Sequence, residues 1–171
     1  MNNGDYMSNE HLLLIYSNLD KPYDFGDGDP VFSASLGIDK NDSEQVEALQ
    51  AIISDTFEEY KSAKGISEMD IEYTSPLKDG DVEKSNKPEY KGFYYINAYA
   101  GEKVPPILID QEKNEIGGEE FHRGDTVRCM FTFFGYGHDS DNGYGVGVRL
   151  KAVKLVNNQS SAIKKMIIDA M

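Results

Sequence analysis

The stretch from Arg123 to Leu155 alternates apolar and polar residues on both sides of a glycine-rich polar turn. Val127, Cys129, Phe131 and Phe133 point one way; Arg128, Met130, Thr132, Phe134 and Tyr136 point the other. After the turn, Val146, Val148 and Leu150 form an inward set and Gly147, Arg149 and Lys151 an outward one. A period of two predicts half-buried strands, and two such runs around a short turn predict a hairpin. Arg128 marks its own face as the solvated one, because an unpaired charge is costly to bury. Phe134 and Tyr136 then stand on a wet face with Arg128, Arg149 and Lys151. All three arginines of the chain (Arg123, Arg128 and Arg149) lie in this stretch. Cations among flat aromatics on a sheet suit a ligand that is anionic and stackable, and single-stranded nucleic acid is such a ligand. The competing reading of these aromatics is packing beneath a loop or at a dimer interface.

The rest of the chain adds further strands and one long helix. His11 to Asn18 and Val31 to Ile38 read as strands; in the second, Phe32, Ala34, Leu36 and Ile38 share one face. Asp42 to Lys64 reads as a helix. Asp42 is a good N-cap, Gln45 completes a capping-box-like pair, and Gly65 can end the helix in a left-handed conformation. Val46, Leu49, Ile53, Phe57 and Tyr60 recur at three- and four-residue steps, a stripe expected to pack on a sheet. Ile66 to Asn86 is polar, with turn signals at Ser75-Pro76 and Asp79-Gly80-Asp81. Tyr90 to Ala100 is an aromatic strand with Phe93, Tyr95, Asn97 and Tyr99 on one face and Tyr94, Ile96 and Ala98 on the other; Tyr94 becomes the stacking residue if that facing is reversed. Val104 to Asp110 is a proline-stiffened edge with a short strand. Clustered strands with one helix suggest a small barrel or sandwich rather than alternating strand–helix units.

Charge divides the chain. The net charge is −13, yet residues 1–77 carry 4 Lys against 16 acidic residues, whereas residues 126–171 carry 6 basic against 3 acidic. A locally basic face framed by acidic surface discourages promiscuous polyanion binding. Cys129 is the only cysteine, so no disulfide can form within the chain and a reducing compartment is expected. No apolar run is long enough to span a membrane, and the expectation is a soluble cytoplasmic protein.

Motifs for chemistry are weak. Asp24, Asp27 and Asp29 share a loop, and Asp139, Asp141 and Gly143 resemble a calcium loop without its sixth-position glycine or twelfth-position glutamate. His11, His122, His138 and Cys129 lack zinc spacing. These loops read as turns, Arg123-Gly124-Asp125 included. No nucleophile elbow or phosphate-cradling loop is present, so no enzyme and no cofactor are expected.

From about Leu14 to Val156 the chain resembles the single-stranded DNA-binding proteins of tailed phages, which have an OB-fold. The resemblance rests on the order of several segments. They are Val31-Phe32-Ser33-Ala34-Ser35-Leu36 before a helix, Pro76-Leu77-Lys78-Asp79-Gly80-Asp81, Gly92-Phe93-Tyr94-Tyr95-Ile96-Asn97-Ala98, and Pro105-Pro106 leading to Asp110. The last is the hairpin of Phe133-Phe134-Gly135-Tyr136 and Gly145-Val146-Gly147-Val148. It implies a mainly β, five-stranded barrel with an inserted helix at about residues 43–64, and a DNA groove across its face. It also implies a setting in phage DNA replication or recombination inside an infected bacterium, with phage or host replication and recombination proteins as further partners. Such proteins usually end in an acidic tail that recruits partners; here the last twelve residues hold Lys164, Lys165 and only Asp169.

The expected organisation is a loose N-terminus at 1–10, a single-stranded DNA-binding domain at 11–157, and a short C-terminal segment at 158–171. That segment is read as helical, packed on the barrel or on a second subunit of a homodimer. Tyr95, Tyr99, Phe134 and Tyr136 are expected to stack bases, with Tyr94 as the alternative to Tyr95. Lys91, Arg128, Arg149 and Lys151 are expected to meet phosphates. The rival readings are an acidic interaction module or DNA mimic that binds a host nucleic-acid enzyme, and a metal-dependent nuclease using the Asp24, Asp27 and Asp29 loop.

Overall fold

The two strands of the final hairpin form the seam on which the sheet closes. The computed structural model describes residues 4–26, 28–67, 71–137, 143–157 and 166–171. In chain order these form β1 (Asp5–Met7), β2 (Leu12–Tyr23), β3 (Val31–Asp39), α1 (Ser43–Lys64), β4 (Tyr73–Thr74), β5 (Lys78–Asp79) and α2 (Gly80–Glu83). They continue with β6 (Phe93–Gly101), β7 (Ile107–Ile109), β8 (Thr126–Gly137) and β9 (Tyr144–Asn157). Short 3-10 turns occupy Pro88–Tyr90 and Gly118–Glu120. Residues 166–170 are helical.

Strand pairing runs β8–β2–β3–β6–β9, and β9 pairs back onto β8. Every pairing in this ring is antiparallel except β6–β9, which is parallel. Five strands therefore close on themselves, as expected for a small barrel, which removes the exposed edges an open sheet would carry. β4, β5 and β7 add short flanking pairs to β9, β6 and β9 respectively.

Inward residues of all five strands fill the barrel. Leu12, Leu14, Leu36, Ile38, Ile96, Ala98, Val127, Phe131, Phe133, Leu150 and Val153 are buried there. The hairpin alternation holds, with one refinement. Register shifts between Met130 and Phe131, so that Met130 faces Ala152 and Phe131 faces Leu150, and Lys151 is the extra residue. That bulge lets both Leu150 and Val153 point inward.

α1 covers the barrel with the stripe predicted for it: Val46, Leu49, Ile53 and Phe57 are buried. Phe57 stacks on Tyr73 of β4 at 4.3 Å between ring centres. Asp42 caps α1 by accepting from the Gln45 N–H (3.3 Å), and Gly65 closes it at φ 70°. The capping box is not reciprocal. The Gln45 side chain instead accepts from the Asn9 N–H (2.8 Å) and donates to the Tyr6 hydroxyl.

Those contacts belong to a correction. Residues 1–10 read as a loose N-terminus, but among the described ones β1 pairs with β8 at Met130, Phe131 and Thr132. The Ser8 hydroxyl accepts from the buried Cys129 N–H (2.9 Å), and Ser8 is itself 1% exposed. The strand is short, adding hydrogen bonds to an existing edge and packing Tyr6 against the core, 6.4 Å from the Phe133 ring. The first barrel strand also runs on to Tyr23, past the Asn18 expected. Asp79 turns the chain by accepting from the Asp81 N–H (2.9 Å), which opens α2.

Candidate nucleic-acid interface

The outward face of the ring carries polar residues in register. Asn18 of β2 faces Ser33 of β3, Ser33 faces Tyr99 of β6, and Tyr99 faces Arg149 of β9. Arg149 faces Thr132 of β8. One step along the strands, Tyr16, Ser35 and Asn97 make a parallel row. This places Tyr99 and Arg149 side by side although 50 residues separate them in sequence.

A cleft of about 400 Å³ opens on this face, lined among others by Lys78, Asn97, Tyr99, Phe134, Tyr136 and Arg149. Thr74, Ser75 and Pro76 form one wall. Phe134 and Tyr136 lie opposite Gly147 and Gly145 of β9, and each ring takes the space that a Cβ on its facing glycine would need. The Arg149 guanidinium stands 5.0 Å from the Phe134 ring centre. Tyr99, Phe134 and Tyr136 are 42%, 37% and 41% exposed, so all three offer open ring surface. The cleft therefore joins aromatic faces to a cation and to polar side chains, a set able to stack flat groups and hold an anion.

A second hollow of about 880 Å³ shares Tyr99 and Gly101 with the cleft and lies under the loop after β2. Phe25 sits there, edge-on to Tyr99 at 6.2 Å and to Tyr23 at 4.7 Å. Tyr23, Phe25 and Tyr99 thus extend the aromatic series away from Phe134, with Lys103 on the rim. The sequence marks this loop as a turn, with a metal-dependent nuclease site at Asp24, Asp27 and Asp29 as the rival reading, and not as a stacking surface. Its signal was the placing of two aromatics in a Gly- and Asp-rich loop, where neither has a core to enter.

Of the residues expected at the site, Tyr99, Phe134, Tyr136 and Arg149 converge in the cleft. The expected facing of β6 holds, yet Tyr95 is 3% exposed, a correction to its expected role. The turn at Pro88–Tyr90 folds over it and sets the Tyr90 ring against it at 4.9 Å, and this burial also raises the Tyr95 hydroxyl pKa. Tyr94 does not replace it: its half-buried ring packs against the core, beneath the Lys40 ammonium at 5.1 Å. Lys91 lies outside the cleft, in a separate hollow with Lys84 and Lys87. Arg128 and Lys151 point outward but meet carboxylates of the N-terminal segment. Arg128 donates to the Ser8 carbonyl (2.9 Å) and is 3.7 Å from Glu10; Lys151 is 3.7 Å from Asp5.

Among the described residues no cluster of three or more metal-ligating side chains occurs. Asp27, His138, Asp139 and Asp141 lie outside those residues. Burial pushes the Cys129 thiol well above its ordinary pKa, which keeps it a core group. No helix among the described residues is long and apolar enough to cross a membrane.

A profile of one protein family, described as Enterobacter phage Enc34, ssDNA-binding protein, matches residues 8–161. The chain belongs to this family. Solved structures agree in fold with this Enc34-type assignment. The single-stranded DNA-binding protein from bacteriophage Enc34 in complex with ssDNA superposes with a TM-score of 0.77 at 23% identity, over 91% of this chain and 88% of that one. A C-terminal truncation of the Enc34 protein gives 0.70 at 25% identity, over 91% and 87%. The gp2.5 single-stranded DNA-binding protein of bacteriophage T7 gives 0.64 at 14% identity, over 90% and 86%. No curated protein matches the sequence of this Enc34-type chain.

Proposed function

We propose that this protein binds single-stranded DNA without sequence preference and serves phage DNA replication or recombination inside an infected bacterium. The observation that carries the reading is the cleft in which Tyr99, Phe134 and Tyr136 present open ring faces beside the Arg149 guanidinium. Membership of the Enc34-type family supports it independently. Bases stack on the rings, which serves any sequence because every base has a π-face, and the backbone phosphates meet Arg149 and Lys78. Tyr23 and Phe25 carry the stacking surface beyond Tyr99. The role is binding alone, with no bond made or broken.

Fluorescence anisotropy of labelled oligo-dT at low salt tests this. Binding is expected at micromolar protein or below. Phe134→Ala is expected to weaken it by about 1–3 kcal/mol, the usual worth of one stacked base. Arg149→Ala is expected to weaken it and to make the salt dependence shallower. An absence of binding, or two variants indistinguishable from the parent, would sink the reading.

A further inference from the structure

A second cationic surface lies apart from the cleft. Lys84, Lys87 and Lys91 line a hollow of about 440 Å³ beside α2 and the Pro88–Tyr90 turn. No ion pair within 4 Å joins any of the three to a carboxylate among the described residues. The carboxylates around the hollow have other partners: Asp81 accepts from Lys40 (2.7 Å), and Glu89 accepts from the Tyr16 hydroxyl (2.6 Å). These hydrogen bonds, with smaller contributions from the nearby Lys91 charge on Asp81 and the Lys87 charge on Glu89, hold both carboxyls below their ordinary pKa. Glu83 is exposed at the end of α2. Arg123 extends the cationic set, its guanidinium lying 4.4 Å from the Tyr16 ring centre and 3.9 Å from Glu89.

Two of the rings beneath these cations are buried, and Tyr16 is only partly exposed. Tyr90 and Tyr95 are each 3% exposed, with the Lys84 ammonium 5.8 and 5.9 Å from their centres. Tyr16 is covered by Arg123, with Lys87 5.9 Å from its ring centre. A ligand here meets positive charge and little stacking surface, which fits a phosphodiester backbone better than bases.

The hollow and the cleft share no lining residue, but paired strands link their surroundings. Asn97 lines the cleft and faces Ser35, which in turn faces Tyr16. Two strand spacings, about 10 Å, therefore separate Asn97 from Tyr16, with the buried Ser35 between them in contact with the Tyr90 hydroxyl (3.2 Å). Lys78, another cleft residue, pairs with Tyr95, over which Lys84 stands.

We propose that Lys84, Lys87 and Lys91, continued by Arg123 over Tyr16, hold the sugar–phosphate backbone of the single strand after it leaves the cleft. The proposal rests on the single-stranded DNA reading above. It divides the surface into a segment that stacks bases and a segment that reads only charge.

The test is the triple variant K84Q/K87Q/K91Q, titrated with oligo-dT of about 6 and about 16 nucleotides, spanning the usual site sizes of such folds. All three side chains are at least partly exposed, so folding is not at stake. With the longer oligonucleotide, the slope of log K against log salt is expected to become shallower by about 2. That corresponds to about 0.7 for each of three lost single-strand phosphate contacts. Low-salt affinity is expected to fall about tenfold or more. With the shorter oligonucleotide, affinity is expected to stay within about twofold. An unchanged slope and affinity for the longer one, or an equal loss for both, would overturn the extended path while leaving the cleft intact. Failure of the unaltered protein to bind either oligonucleotide would instead overturn the binding reading itself, and this inference with it.

Discussion

Phe134 and Tyr136 depend on two residues with no side chain. Their cross-strand partners are Gly147 and Gly145, and a Cβ at either would run into the facing ring. Valine at 147 is therefore expected to drive the Phe134 ring off its seat and away from Arg149. The displaced ring is on the solvent face, so the thermal midpoint should move little. Affinity for oligo-dT should fall by about tenfold, roughly 1.4 kcal/mol, within the range of one lost stacking contact. Anisotropy and a melting curve on the same G147V sample check both halves; full affinity with a displaced ring would remove Phe134 from the site. The spacing of Phe134 and Tyr136 against Gly145 and Gly147 was legible in the sequence, but their pairing was not. One continuous register runs from Phe131–Leu150 to Gly137–Tyr144, and alternation alone does not disclose which residues face each other in it. Tyr95 teaches the same lesson in reverse. Its facing followed from the period of two, but its burial depends on a turn at Pro88–Tyr90 that comes to rest on top of it.

Among the elements, α1 was the most legible, because a 22-residue helix carries its cap, stripe and stop signal in its own sequence. β1 was the least legible. Three residues (Asp5, Tyr6 and Met7) are too few to show a period, and β8 offers them the edge they pair with. Its contribution is electrostatic as well. Asp5 accepts from the Thr132 hydroxyl (2.6 Å) and pairs with Lys151, and Glu10 lies 3.7 Å from Arg128 and 3.5 Å from Lys154. Thr132 faces Arg149, so the Asp5–Lys151 pair lies next to a cleft residue, with the Arg128–Lys154 pair further along the same strands. Replacing both carboxylates (D5N/E10Q) keeps hydrogen-bonding capacity at both positions while freeing three cations. The partly exposed Glu10 pairs contribute about 0–1 kcal/mol each, whereas the Asp5 carboxylate is 4% exposed and bonded to Thr132, so a loss of about 1–3 kcal/mol of stability is expected at that position. Affinity for a long oligo-dT should rise severalfold and its salt slope should steepen, by about 0.7 for each new phosphate contact. A salt titration reads this directly, and an unchanged slope would mean that β1 shields nothing the DNA uses.

Across the whole molecule, a net charge of −13 opposes any polyanion at long range. At physiological ionic strength the Debye length is about 8 Å, so this repulsion is largely screened beyond contact range. Local cations therefore act once the strand is seated, but they do not by themselves make the surface attractive to every anion. Stacking has to supply the difference. Tyr99, Phe134 and Tyr136 offer that contribution to a ligand with bases, and two engaged rings alone amount to roughly 2–6 kcal/mol. An oligonucleotide of the same length with its bases removed retains every phosphate and loses all of that. The expected result is that the abasic strand binds at least about tenfold more weakly than oligo-dT at about 0.15 M salt, with a similar slope of log K against log salt, because the phosphate contacts are the same. Competition anisotropy measures both quantities in one series. Equal affinity for the two strands would make the interface a charged surface only, and the aromatic cleft would lose its place in recognition.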